Sequence, residues 1–400
     1  MTAWRDRLAR AADHRRRNAL ERALRPVAPA GDGRLTMGGK PLIDLCSNDY
    51  LGLARHPAVV EGARLALERY GAGARASRLI TGNYELLEEL ETELAAFKGT
   101  GSALVFPSGY QANLGLLSLL IEPGDAAFVD RLAHACLVDG VRLSGARLRV
   151  FPHNDVARLG ELLAAARDAP ARWIMADAVY SMDGDVAPLG ELLALAREHD
   201  ATVILDDAHG TGVMGATGRG TAEALGIDPR AESDRLIIVA TLSKALGSQG
   251  GVVLGPRELR EGLLNASRPF VYSTGLAPAA AGAALAALRM IQGDPARVAR
   301  LAEFSASARD VLGRAGLDLM GSQTPILPIL MRDPSLAVEA SRALREDHGI
   351  LVLPIRPPTV PRGTSRLRAT ISLNQDGTTL MDCCEQIVRV CQSLLPRAGS

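Results

Sequence analysis

Leu236-Ile237-Ile238-Val239-Ala240 runs straight into Thr241-Leu242-Ser243-Lys244-Ala245-Leu246-Gly247. An apolar run this short suits a buried strand and is too short for a helix. One lysine is thereby set just past a strand end, between hydroxyls, with Gly250 and Gly251 close behind. A lysine amine in a partly desolvated pocket loses some of its preference for the charged form. It can then serve as nucleophile or base near neutral pH. A lone lysine in a polar turn is ordinarily a surface residue, so the reading turns on what the neighbouring strands end in.

Working outward, apolar strands alternate with helices. Ala103–Phe106, 126–129, 148–151, 173–176 and 202–205 read as strands, with helical spacing between them. This rhythm predicts a mostly parallel central sheet with helices on both faces. Ligands in such folds gather beyond the carboxyl ends of the strands. An alanine-rich helix from about Pro278 leads to a smaller α+β region with strands at 326–330 and 367–372 and helices at 335–347 and 379–394. Residues 4–25 read as a helix with a basic face, and one or two of its arginines, Arg22 and Arg25 being nearest the body, are candidates to hold an anionic substrate. The expected organisation is an N-terminal segment 1–52, a large α/β domain 53–285 and a small α+β domain 286–400.

Three other strand ends carry chemistry. Ser108-Gly109-Tyr110 places small residues at a helix start, where backbone N–H groups and the helix dipole favour an anion. His134 follows the strand at 126–129 and offers a flat ring for stacking. Leu205-Asp206-Asp207-Ala208-His209 ends an apolar strand in two carboxylates and a histidine. A buried carboxylate needs a positive partner. Asp206, nearest the strand, is the candidate for a cation inside the site, and Asp207 is read as more exposed or structural. An anion site, a stacking ring, an acid and an amine at the ends of one sheet describe a ligand with a phosphate, a flat ring, a protonatable ring nitrogen and an aldehyde. Pyridoxal 5'-phosphate (PLP) has all four.

Composition narrows the field. Lys+Arg and Asp+Glu both number 45, and aromatics are only 4%. Neither a nucleic acid nor an anionic membrane is called for as partner. The odd set of five cysteines, without a Cys-x-x-Cys pair, argues against a disulfide framework or zinc knuckle and for a reducing cytoplasm. No metal centre is expected. No apolar run approaches the ~20 residues that span a bilayer.

The chain resembles the α-oxoamine synthase family of fold type I PLP enzymes. The resemblance rests on Ser47 to Leu53, Ser77-Arg78-Leu79-Ile80-Thr81-Gly82, Ser108-Gly109-Tyr110, Asp130 to His134, Ser181-Met182-Asp183-Gly184-Asp185, Asp206 to Gly210, Thr241 to Lys244, and Thr359-Val360-Pro361 with Gly363 to Arg368. It implies an aminotransferase-like fold and an acyltransferase acting through PLP. Lys244 is then expected to bear the cofactor and move the substrate's α-proton, and Asp206 to pair with the ring nitrogen. His134 is expected to stack on the ring, and His209 and Ser181 to bond its phenolic oxygen or neighbouring groups. Gly109, Tyr110 and Thr241 would hold the phosphate, with Ser273 or Thr274 reaching it from a second subunit of a homodimer. Arg368 would clamp the amino-acid carboxylate, Asn48 would lie near the reacting centre, and Arg22 and Thr359 would contact the acyl substrate. Within the family the basic amino-terminal helix and Arg356-Pro357-Pro358 imply L-alanine and pimeloyl-CoA or a pimeloyl carrier protein as substrates, in biotin synthesis. Other amino acid and acyl pairs of the family share the cofactor residues. An aminotransferase and a non-catalytic sensor on the same fold are more distant alternatives. Family members often carry a histidine a few residues past the carboxylate-binding arginine; here the chain reads Ile371-Ser372-Leu373-Asn374.

Overall fold

The computed structural model describes residues 2–17, 21, 24–31 and 33–395. Seven strands form the central sheet, in the spatial order Ser102–Phe106, Gly251–Gly255, Leu236–Thr241, Thr202–Asp206, Arg172–Asp177, Ala126–Asp130, Arg147–Phe151. Five of them pair in parallel through consecutive neighbours. Gly251–Gly255 runs antiparallel to both its neighbours. It is reached by the short return after Lys244, which leaves no room for a crossover helix.

The pleat sorts the side chains. Val203 and Leu205 enter the core cluster on one face and Ile204 the cluster on the other, and Ile238 and Ala240 part from Ile237 and Val239 in the same way. Both faces are therefore covered, as near-continuous apolar strands demand. The strand ends carrying Asp130, Asp177, Asp206 and Thr241 all open on one side of the sheet.

Two smaller sheets flank this one. Ile326–Arg332, Ser365–Thr370 and Leu353–Ile355 form an antiparallel sheet, and Arg368 lies on its central strand. Val27–Gly31, Arg34–Met37 and Lys40–Asp44 form an antiparallel meander whose last strand pairs in parallel with Ile350–Leu351.

Three readings of the sequence need correction. The amino-terminal helix is Ala3–Arg17, so the basic stretch does not run on as a helix to residue 25. Val27–Gly31 and Arg34–Met37 form two strands instead. Residues 268–275, whose Pro269, Ser273 and Gly275 read as a turn in the sequence, begin with a short helix, Arg268–Val271, started by Pro269 in its first turn. Residues 296–314, unassigned by periodicity, form a long helix.

Candidate active site

A cavity of about 260 Å³ opens at these strand ends. Lys244, Asp206, His134, His209, Ser181, Thr241, Gly109 and Tyr110 all line it, from five separate segments. Each is placed by the sheet: the strand fixes the backbone, and the first residues beyond it face the cavity.

The anion end is the start of the helix Gly109–Leu120. Ser108 caps it, accepting the Gln111 amide at 3.2 Å. The sheet crowds this turn. A Cβ on Gly251 would lie 2.5 Å from the Gly109 Cα, so that strand residue has to be glycine for the helix start to sit where it does. Thr241 Oγ1 lies 2.8 Å from Ser243 Oγ and donates to the Gly250 carbonyl at 2.9 Å. The Tyr110 hydroxyl is directed at Asp139, not at the helix start.

The acid end is densely bonded. Asp206 accepts from Asn113 Nδ2 at 2.8 Å, from the Ala208 amide at 3.1 Å and from the Cys136 thiol at 3.7 Å. Asn113 sits one helical turn beyond Gly109, so one helix serves both ends of the cavity. His134 lies exposed at the cavity wall. It caps the helix Ala135–Ser144 by accepting the Cys136 amide on Nδ1, and its own amide donates to Asp177 at 3.0 Å. Cys136 Sγ is 2.9 Å from the same Nδ1. Burial and the nearby Asp206 and Asp177 charges push the Cys136 thiol far up, so it is a buried donor and not a nucleophile.

Lys244 has the lowered basicity the sequence led us to expect. Burial brings it down to about 8; Asp206 and Asp177 oppose the shift and Arg368 adds to it. His209 is buried, and burial followed by the Lys244 and Arg368 charges holds it well below the usual histidine range. Its Nδ1 is 2.6 Å from the Tyr50 hydroxyl. With that hydroxyl donating, the neutral ring keeps its proton on Nε2.

Arg368 is buried beside this group. Nε donates to the Ser181 carbonyl at 2.6 Å, Nη1 to Thr370 Oγ1 at 2.9 Å and Nη2 to Asn48 Oδ1 at 3.3 Å. Among the described residues no carboxylate pairs with it within 4 Å. A planar fork held by neutral acceptors is suited to an incoming carboxylate.

Not every candidate joins the cavity. Ser273 and Thr274 lie outside its lining. Ser273 accepts from Gln111 at 3.5 Å, and Thr274 bridges to Ser77. Thr359 is exposed on the loop before the Ser365–Thr370 strand, with its amide bonded to the Arg356 carbonyl. Arg22 lies outside the described residues. Asp207 is not exposed: it is fully buried, paired with Lys98 at 2.6 Å and bonded by Thr211 and Thr221. It is structural, as one half of the reading held. Sequence reasoning assigns no role to Tyr50, Asn113 or Asp177. Asp177 follows an apolar strand just as Asp206 does, and that signal could have found it.

The donor set fits PLP. A helix start could take a phosphate, a bonded acid could meet a ring nitrogen, a neutral histidine could offer an N–H, and a lysine of lowered basicity could meet an aldehyde. Comparison with known proteins agrees. The family described as aminotransferase class I and II matches residues 40–383. The curated 8-amino-7-oxononanoate synthase of Geobacter sulfurreducens is 45% identical over 95% of this chain and 96% of its own length. That of Maricaulis maris is 49% identical over 89% and 88%. A solved structure of serine palmitoyltransferase from S. paucimobilis, with bound PLP, superposes with a TM-score of 0.89 at 29% identity over 97% of this chain and 98% of that one. The chain belongs to the aminotransferase class I and II family, in its α-oxoamine synthase branch, and its cofactor is PLP.

Proposed function

We infer that the chain joins L-alanine to a pimeloyl thioester, giving 8-amino-7-oxononanoate, CO2 and the free thiol, the biotin-pathway reaction for which its curated relatives are named. The observation that carries this reading is identity of 45% over nearly the whole length of such a relative. The balance is simple. The alanine α-carbon loses a proton and forms a bond to the thioester carbonyl carbon. The thiol leaves, the alanine carboxylate departs as CO2, and the α-carbon regains a proton.

When bound, PLP supplies an aldehyde to hold the amine and a ring that withdraws electrons from the α-carbon. The chain's own residues do the rest. Lys244 would carry the cofactor and, released, move the proton at the α-carbon; an amine near pKa 8 suits that task. Asp206 would meet the ring nitrogen, with Asn113 and the Ala208 amide holding its oxygens in place. His134 would cover one side of the ring. His209, kept neutral and oriented by Tyr50, would donate Nε2–H to the ring's oxygen, with Ser181 beside it. Gly109 and Thr241 would hold the phosphate, with Tyr110 contributing its backbone N–H at the helix start, since its hydroxyl is taken by Asp139. Arg368 would bind the alanine carboxylate, next to Asn48. Arg22 and Thr359 would meet the pimeloyl chain, and a single arginine–carboxylate contact of about 1.5–3 kcal/mol would separate pimeloyl from uncharged acyl groups. Ser273 and Thr274, outside this cavity, suit a homodimer in which they serve the second copy's phosphate.

Structural likeness to serine palmitoyltransferase supports one competing reading, condensation of serine with a long acyl thioester, at lower identity. Release of CO2 from L-alanine with pimeloyl-CoA, against pimeloyl carrier protein, glycine, serine and other acyl thioesters, tests both. Turnover with alanine and pimeloyl thioester above all other pairs is expected. Preference for serine with palmitoyl-CoA would overturn the assignment.

A further inference from the structure

Three neighbouring strands, Ala126–Asp130, Arg172–Asp177 and Thr202–Asp206, each end in a buried aspartate. Asp177 is the middle one and stands in register with Asp206. Adjacent strands lie only ~4.8 Å apart. The outer two aspartates are well supplied. Asp130 pairs with His153 at 3.0 Å and accepts the amides of Leu132 at 2.7 Å and Asn154 at 2.8 Å. Asp206 has its three donors and faces Lys244. Asp177 accepts one bond, the His134 amide on Oδ1. Its second oxygen has no hydrogen-bond partner among the described residues, and the side chain lines the cavity.

The charged groups facing Asp177 are Asp206 on one side, Asp130 on the other and Lys244 across the cavity. His153 answers the charge of Asp130, but Asp177 and Asp206 share one lysine in a desolvated site, and the one with fewest donors is the one to take up a proton. Burial, then the Asp206 charge, holds the Asp177 carboxyl well above the usual carboxylate range; the His134 amide and Lys244 oppose this less strongly.

We propose that Asp177 is a positioning residue that works uncharged: Oδ1 accepts the His134 amide and so fixes that ring at the cavity wall, while the other oxygen carries a proton and donates it as a hydrogen bond into the cavity. The group it fits is a neutral or anionic oxygen acceptor of the bound cofactor or substrate, beside His134. The nature of that acceptor rests on the proposed function; the protonation of Asp177 does not.

Asp177→Asn keeps an acceptor and a donor at these two places without any charge, whereas Asp177→Ala removes both. Alanine is expected to lower kcat/KM about tenfold or more, and asparagine to recover most of the loss. The infrared spectrum of the purified protein, before and after addition of PLP, is expected to show at pH 7 a protonated-carboxyl C=O band that both substitutions abolish. Asparagine as damaging as alanine, or a band that survives Asp177→Asn, would overturn the proposal. Where the alanine variant does not fold, the band in the asparagine variant decides alone. Because the band is also read without cofactor, failure to bind PLP would sink the functional reading and leave this one standing.

Discussion

The Tyr50 hydroxyl lies 2.6 Å from Nδ1 of His209, and both side chains are buried. The pair sets which nitrogen of His209 carries the proton. Tyr50→Phe removes the donor and leaves a buried ring nitrogen unpaired, at a cost of about 1–3 kcal/mol. We expect PLP still to bind, its visible absorbance maximum to shift, and kcat to fall about tenfold, in the range that loss of an orienting partner produces. Unchanged spectrum and turnover would show that His209 is oriented by something else.

Lys244 is to carry the cofactor and move the α-proton. Lys244→Ala is expected to abolish the visible band retained through dialysis and to lower turnover at least ~10²-fold. A coloured, fully active variant would remove Lys244 from the mechanism.

Only the unprotonated amine adds to an aldehyde. With Lys244 lowered to about 8 by burial, the fraction free rises steeply between pH 7 and 8 and levels off above. The rate of PLP uptake by cofactor-free protein, followed by absorbance, is expected to rise through that window. A rate still climbing tenfold per unit beyond pH 9 would mean an amine of ordinary basicity.

Arg368→Lys keeps the charge and loses the fork that spans Ser181, Thr370 and Asn48. The KM for L-alanine is expected to rise about 10- to 100-fold, with a much smaller change in the KM for the thioester. Equal effects on both substrates would place the arginine elsewhere in the reaction.

His153 bridges Asp130 at 3.0 Å and Asp185 at 2.7 Å. Burial works against the charged ring, but the two carboxylates outweigh it and push His153 up to about 10 from 6.5. Its folded-state pKa is raised, so its contribution to stability is complete below about 6.5 and is lost as pH rises through 10. The Tm of the wild type is expected to approach that of His153→Gln across this interval. A gap between the two that stays constant from pH 6 to 10 would mean that the ring titrates alike in the folded and unfolded chain.

Much of the site was legible because its parts obey one local rule. Lys244, Asp206 and His134 each follow an apolar strand, so a single short window of sequence places them at a strand end. What the sequence hides is who meets whom. Asp207 looked like an exposed neighbour of Asp206 because its counter-ion, Lys98, is 109 residues away. Tyr50 and His209 are 159 residues apart and pair only through the fold. The direction of Gly251–Gly255 is likewise set by its partners and not by its own residues. The helix Ala296–Arg314 escaped notice for a different reason. Its buried positions include Ser305 and Ala308 beside Val298, Leu301 and Leu312, so its apolar stripe is faint.

The short ladder between Lys40–Asp44 and Ile350–Leu351 has a consequence for how the chain is made. The Ile43 amide bonds the Gly349 carbonyl at 2.8 Å, and the Leu45 carbonyl accepts from Thr370 at 2.8 Å. As the polypeptide leaves the ribosome, this early edge has to wait for more than three hundred further residues before its mates emerge. Until then the outer edge of this meander is unpaired on the nascent chain, open to wrong partners. Its closing is the clasp that joins an earlier-made part of the molecule to a later one.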